Sequence, residues 1–249
     1  MKVIIAEGYK EQKDQIEDLF ENFENKGTAF NEGERNSIKI FELSGKNINI
    51  KSFKIPNAVN KIAYKFFRKS KAERSFWYAQ LLTERGIGTP QPVAFAEETS
   101  AFGFGKSYYA SEHLESELTF RELVTQPDYP NHEEILRAFT RFTFFMHENE
   151  VEFLDHSPGN TLIKHHNGKY EFFLVDLNRM NFRELDLEAR MKNFARLTPK
   201  KEMVQVMANE YAKCIEKPEA EIFEKMWFYT TDFQEKFHRK QRWKKKFKK

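Results

Sequence analysis

Between positions 10 and 24, Ile16, Leu19, Phe20 and Phe23 recur at helical spacing with charged residues between them. This pattern predicts an amphipathic helix near the start of the chain. Gly27 to Gly33 reads as a loop. Two strands are predicted at 37–43 and 47–54, joined as a hairpin by the polar turn Ser44-Gly45-Lys46. A second helix is predicted over about 69–85, stopping at Gly86. Thr89-Pro90-Gln91-Pro92 is a stiff connector. A second pair of strands follows at 93–97 and 106–113, with Phe102-Gly103-Phe104-Gly105 read as the turn between them. The first 110 or so residues therefore read as a small sheet carrying one main helix.

The pattern then changes. Ile135, Ala138, Phe139, Phe142 and Met146 share one face of a helix predicted over 133–148. Short strands at 161–163 and 170–175 flank Asn167-Gly168, a strong hairpin signal. From Leu185 to about Lys236 the chain reads as mainly helical. The fold class expected is α+β: a bilobal architecture with an antiparallel-sheet N-lobe (1–114), a mainly helical C-lobe (115–238) and a basic tail (239–249).

Composition narrows the class. The 249 residues suit one large domain or two lobes, and 26 phenylalanines supply the core. A single cysteine, Cys214, excludes an internal disulfide and fits a reducing compartment. No apolar run long enough to span a bilayer is present, and residues 1–10 do not read as a signal peptide. The expected location is the cytoplasm. Eight Lys/Arg and no acid lie in 239–249, which leaves the other 238 residues with 33 bases and 38 acids, a net of −5.

The candidate chemistry is phosphoryl transfer. That reaction needs a cation on the phosphates of ATP, hard oxygen ligands for Mg²⁺ and a carboxylate beside the attacking hydroxyl. Phe153-Leu154-Asp155-His156-Ser157-Pro158-Gly159-Asn160 puts an Asn five residues after an Asp, the spacing of a kinase catalytic loop, between a helix and a hairpin. Asp155 is the candidate catalytic carboxylate and Asn160 a candidate Mg²⁺ ligand. Phe172-Phe173-Leu174-Val175-Asp176 is an apolar strand ending in a second candidate ligand, Asp176. The strand Ile48-Asn49-Ile50-Lys51 offers Lys51 for the phosphates, with Lys46 and Lys54 as competitors. An acid on the first main helix, Glu73 or else Glu84, is the expected partner of Lys51. Arg35, after the glycine loop, is a candidate phosphate contact. Glu112 and Leu114, where the two halves of the chain meet, are further candidate nucleotide-binding residues. His165-His166 is no metal site, because adjacent strand residues point to opposite faces. His147 is placed to complement a helix C-terminus.

Together these segments resemble the Kdo/WaaP lipopolysaccharide kinases, in the form typical of Bacteroidetes, from about Gly33 to Phe182. The resemblance rests on Arg35-Asn36, Asn49 to Lys54, Phe66 to Ser75, Gly86 to Pro90, Asp155 to Asn160 and Val175 to Met180. It implies a protein-kinase-like fold, ATP and Mg²⁺ as cofactors, and phosphorylation of a sugar hydroxyl, Kdo first, in the lipopolysaccharide inner core. It also implies work at the cytoplasmic face of the inner membrane. Two departures stand out: Phe153 replaces the His before the catalytic Asp, and Asn178 replaces the Gly after the metal Asp. With no peptide-docking motif, the acceptor expected is a glycolipid. The competing readings are a kinase with a protein or small-metabolite acceptor and a non-catalytic pseudokinase module. The basic tail, with Trp243 and Phe247 among its charges, is expected to meet an anionic membrane surface. A patch confined to a tail on an acidic body argues against nucleic acid as the partner. The oligomeric state is left open.

Overall fold

The computed structural model describes residues 1–32, 36–55, 69–100 and 103–246. Gly33 and Arg35, and with them the phosphate-loop expectation, lie outside this set, as do residues 66–68 of the motif segments. The described chain divides into two compact units, 1–115 with 176–178, and 116–175 with 179–249.

The first unit is built on an antiparallel sheet. Its strands are β1 (Lys2–Ile5), β2 (Thr28–Glu32), β3 (Asn36–Leu43), β4 (Lys46–Phe53), β5 (Pro92–Ser100) and β6 (Gly103–Glu112), in the order β1-β5-β6-β4-β3-β2. The β3–β4 hairpin closes through Ser44 (φ +50°) and Gly45 (φ +81°), with Leu43 opposite Lys46. Two positive φ angles in a two-residue loop match the right-handed twist of the strands it joins. Helix α1 (Lys13–Glu21) buries Ile16 and Phe20. The ammonium of Lys39 collects the carbonyls of Phe23, Glu24 and Lys26 just beyond its end. Helix α2 (Lys71–Glu84) starts at Ser70, whose hydroxyl accepts the Glu73 N–H at 3.0 Å. It stops before Gly86, at φ +70°. Phe20, Phe23 and Tyr108 pack at ring distances of 5.2–5.8 Å, and Phe76 meets Phe95 at 5.3 Å.

The structure corrects three local expectations. Part of the glycine loop is strand β2. The conformational freedom of Gly27 (φ +81°) serves packing, because a Cβ there would strike the Phe41 ring. Gly103 and Gly105 belong to β6 rather than to a turn.

The second unit holds β7 (Leu118–Thr119), α3 (Phe120–Thr125), α4 (His132–Glu148), β8 (Val151–Phe153), β9 (Thr161–His166), β10 (Lys169–Leu174), β11 (Met180–Phe182), α5 (Leu187–Asn193), α6 (Lys201–Cys214) and α7 (Glu219–Lys246). Its sheets are small: β10-β9-β7 and β11-β8. The β9–β10 turn again uses two positive φ angles, Asn167 (+49°) and Gly168 (+73°). Helix α4 buries Ile135, Leu136, Phe139 and Met146 at the centre of a core shared with α5, α6 and α7. Phe139 touches Phe120 and Phe172 at 4.4 and 5.7 Å between ring centres. Among the described residues no helix is long and apolar enough to cross a membrane.

Candidate active site

In the first unit, β4 buries Ile48 and Ile50 and turns Lys51 to the other face. The Lys51 ammonium donates to Asp176 Oδ1 at 2.7 Å and lies 5.4 Å from the centre of the Phe53 ring. Asp176 has φ +60°. Asp tolerates this left-handed backbone better than most residues, and such a conformation at a strand end is a usual feature of functional sites. The same oxygen accepts a second bond from Asn178 Nδ2 at 2.7 Å. Asn178 is buried. It stands where a protein kinase has glycine, and here it holds the carboxylate in place. Among the described residues, Asp176 Oδ2 has no partner.

Glu73 is not the ion-pair partner found for Lys51. Its carboxylate lies 3.6 Å from Lys69, one helical turn back, while the left-handed Asp176 brings its own carboxylate to Lys51. Glu84 ends α2, on its last turn. The Glu112 carboxylate accepts from Lys46 at 2.5 Å and from the Tyr9 hydroxyl. Its N–H goes to the Gln91 carbonyl at 2.9 Å, so its side chain and amide are both committed within the unit. The neighbouring His113 N–H bonds the Asn47 carbonyl, and the N–H of Leu114 has no partner among the described residues.

In the second unit, the loop after β8 carries Asp155 and Asn160. Main-chain bonds fix both ends of it. The Leu154 N–H donates to the Arg179 carbonyl at 3.1 Å, and the Val175 N–H donates to the Asn160 carbonyl at 3.0 Å. Asn160 Nδ2 donates back to the Asp155 carbonyl at 2.9 Å. The amide is thereby oriented, and its oxygen is left without a protein partner among the described residues. The Arg121 guanidinium lies against Gly159, in the space a side chain there would take. Asp155 Oδ1 accepts from Arg196 at 2.7 Å and from Arg179 at 3.1 Å. Arg196 also donates to the Leu154 carbonyl at 3.1 Å.

A buried chain of hydrogen bonds supports this loop from below. His147 Nδ1 meets the Tyr211 hydroxyl at 2.9 Å, and Nε2 meets Asn193 Oδ1 at 3.1 Å. Asn193 gives its amide N–H to the Phe153 carbonyl at 2.8 Å, so Oδ1 is the acceptor of the His147 Nε2–H. Burial pushes His147 down to about 4, so the ring is neutral and its Nδ1 accepts from Tyr211. His147 is therefore a neutral bridge between α4, α5, α6 and β8. It does not act as a charge on a helix end. His156, next to Asp155, is also neutral, pushed down to about 3 mainly by burial. Its ring sits among Phe139, Phe153 and Phe194, with Asn193 alongside but no hydrogen bond of ordinary geometry at either ring nitrogen.

Arg179, Arg196, Asn193 and Tyr211 support the candidate loop and were not marked by the pattern of the sequence. Arg179 lies inside a motif segment, next to Asn178. The others are remote in the chain, and nothing local distinguishes them.

Known proteins bear on this arrangement. The model of the lipopolysaccharide kinase (Kdo/WaaP) family matches residues 21–218. Among solved structures, WaaP in complex with acyl carrier protein superposes with a TM-score of 0.64 at 17% identity, over 96% of this chain and 99% of that chain. That likeness shows the fold: the bilobal kinase-like α+β architecture expected from the sequence, with the antiparallel sheet first and the helices after it. No curated protein sequence matches the chain. Since the family model spans most of the chain, the protein belongs to the lipopolysaccharide kinase (Kdo/WaaP) family and is a phosphotransferase.

Proposed function

We propose that this kinase transfers the γ-phosphoryl group of ATP to a sugar hydroxyl, that of Kdo, in the lipopolysaccharide inner core. The observation that carries the reading is the Asp155–Asn160 loop. It presents a carboxylate oxygen and an amide oxygen, both without protein partners among the described residues, on a backbone held at both ends. In this reading Asp155 Oδ2 orients the acceptor hydroxyl and takes its proton. The alcohol oxygen bonds to the γ-phosphorus, the bond to the β,γ-bridging oxygen breaks, and ADP leaves. Lys51 binds the α- and β-phosphates, for which its present partner Asp176 is a stand-in anion.

Asp176 and Asn160 are each proposed, by their chemistry, as a Mg²⁺ ligand. Each offers a hard oxygen not spent on the protein, and Mg²⁺ commonly takes one or two such ligands beside phosphate oxygens and water. The ion supplies charge neutralisation of the phosphates when bound. Asn178 keeps Asp176 aimed and Asn160 keeps its amide oxygen outward, whatever else is bound. The nucleotide base is assigned to the segment of Glu112 and Leu114, through the Leu114 N–H.

The acceptor is membrane-borne, and the basic end of α7 is assigned as the contact with anionic lipid at the inner face of the inner membrane. All side chains from Glu235 to Lys246 are exposed, and they include seven of the chain's basic groups and Trp243.

The test is transfer of phosphate from Mg-ATP to a Kdo-bearing lipid A. Asp155→Asn and Asp176→Asn are each expected to cut kcat by about 100-fold or more with unchanged melting temperature. Near-normal turnover in both variants would remove these residues from the mechanism.

A further inference from the structure

Two guanidiniums share one oxygen of Asp155, and they are not equivalent. Arg196 is tied into the loop. One nitrogen serves both the Leu154 carbonyl and Asp155, and the guanidinium lies 5.6 Å from the centre of the Phe233 ring on α7. Its Nε is buried. Arg179 is different. Its main chain is anchored, because its carbonyl accepts the Leu154 N–H, but its side chain is 54% exposed. Asp155 is its ion-pair partner among the described residues. Arginine has five N–H donors, and Arg179 spends one of them on Asp155. One carboxylate against two guanidiniums leaves a surplus positive charge beside the carboxylate that would receive the acceptor hydroxyl. A neutral sugar would gain nothing from that charge. A sugar bearing an oxyanion on the same ring as the accepting hydroxyl would be held by it in the planar, two-pronged geometry that guanidinium offers.

We infer that Arg179 selects an acceptor sugar that carries an anionic group, carboxylate or phosphate, within reach of the hydroxyl to be phosphorylated, and that Arg196 is the positioning residue of Asp155. The inference rests on Asp155 being the carboxylate that meets the hydroxyl.

The experiment uses two pairs of soluble acceptors with the full-length protein. One pair is the methyl glycoside of Kdo and its methyl ester. The other is a heptoside with and without a phosphate next to the free hydroxyl. In the wild type the charged member of one pair is preferred, and the pair that shows it identifies the anion. Arg179→Gln is expected to raise KM for that member by about 10- to 100-fold more than KM for its neutral partner, the usual worth of a charge-assisted hydrogen bond, while KM for ATP holds. Arg196→Lys is expected to lower kcat on all acceptors alike, with KM unchanged and with partial recovery relative to Arg196→Ala. A charge preference that survives Arg179→Gln, or a rise in KM for ATP, overturns the assignment. Saturation-transfer NMR with the same four glycosides reads the preference without turnover. Equal binding of charged and neutral members to the wild type would overturn it even in an inactive enzyme. Failure of the kinase reading shows separately, as anion-selective binding without transfer.

Discussion

Asp176 carries the clearest residue-level strain among the candidate site groups. A carboxylate with φ +60° is kept there by Lys51 and Asn178, both at 2.7 Å from one oxygen. The glycine usual at the position of Asn178 would leave the Asp free to swing, so the Asn exchanges mobility for a fixed carboxylate. Asn178→Ala removes one hydrogen bond to a charged group, worth about 1.5–3 kcal/mol. Kinetics at varied Mg-ATP should show a KM higher by about tenfold or more, with folding intact. An unchanged KM would mean that Asn178 does not aim the carboxylate. The sequence marks Lys51, Asp155, Asn160 and Asp176 as candidates, because each sits in a short segment whose spacing has chemical meaning. Lys51 and Asp176 come together as a pair. The acid expected opposite Lys51 did not, because a helical phase cannot be fixed to one turn from spacing alone. Arg196 and Asn193 reach the loop from forty residues away, and only folding reveals them.

At the scale of elements, the two hairpins were readable because a two-residue loop demands two positive φ angles, and Ser-Gly and Asn-Gly supply them. The sheet edges β1 and β2 were not. Three apolar residues after a lysine at the terminus and a mixed five-residue strand have too little pattern to separate from loop. Helix α7 runs ten residues past its expected end. Its last turns are Lys, Arg and Gln, good helix formers that also suit the negative end of the helix dipole, with Lys236 pairing back to Asp232 at 2.7 Å. The elements around the candidate loop are joined by neutral histidines, and this has a pH consequence. In the unfolded chain a histidine titrates near 6.5, whereas folded His147 titrates near 4 and His156 near 3. The unfolded state therefore binds more protons across that window. Stability is full above about pH 6.5 and is lost as pH falls towards the folded values, on the order of 3 kcal/mol per ring. Replacing His156, whose ring nitrogens make no ordinary hydrogen bond, tests this. In urea unfolding, His156→Phe should flatten the fall in stability between pH 6.5 and 4 without loss at pH 7.5. A slope equal to wild type would show that carboxylates set it.

Over the whole molecule, charge is divided between an acidic body and a basic end. The net is −5 before Arg239, and there are eight basic groups after it. Each such group near an anionic bilayer contributes about 1 kcal/mol, less as salt rises. Removing 239–249 should weaken binding to vesicles containing anionic lipid by about tenfold or more. Sedimentation with vesicles at two salt concentrations reads this. Turnover of a soluble acceptor should not change, since the side chains removed from the described helix are all exposed. Retained vesicle binding would move the membrane contact elsewhere on the body. The division into a sheet-bearing and a helical unit was legible because hydrophobic periodicity changes near residue 115. The pairing of Asp155 with Arg196 was not, since the two are 41 residues apart in the chain.

The acceptor assignment is tested most directly by the mass of a lipid. Purified protein is incubated with Mg-ATP and Kdo–lipid A, and the lipid is analysed by mass spectrometry. The expected product is heavier by one phosphate, located on the sugar, and absent when Asp155→Asn replaces the wild type. An unmodified lipid, from protein that hydrolyses or binds ATP, would contradict the assignment of the acceptor.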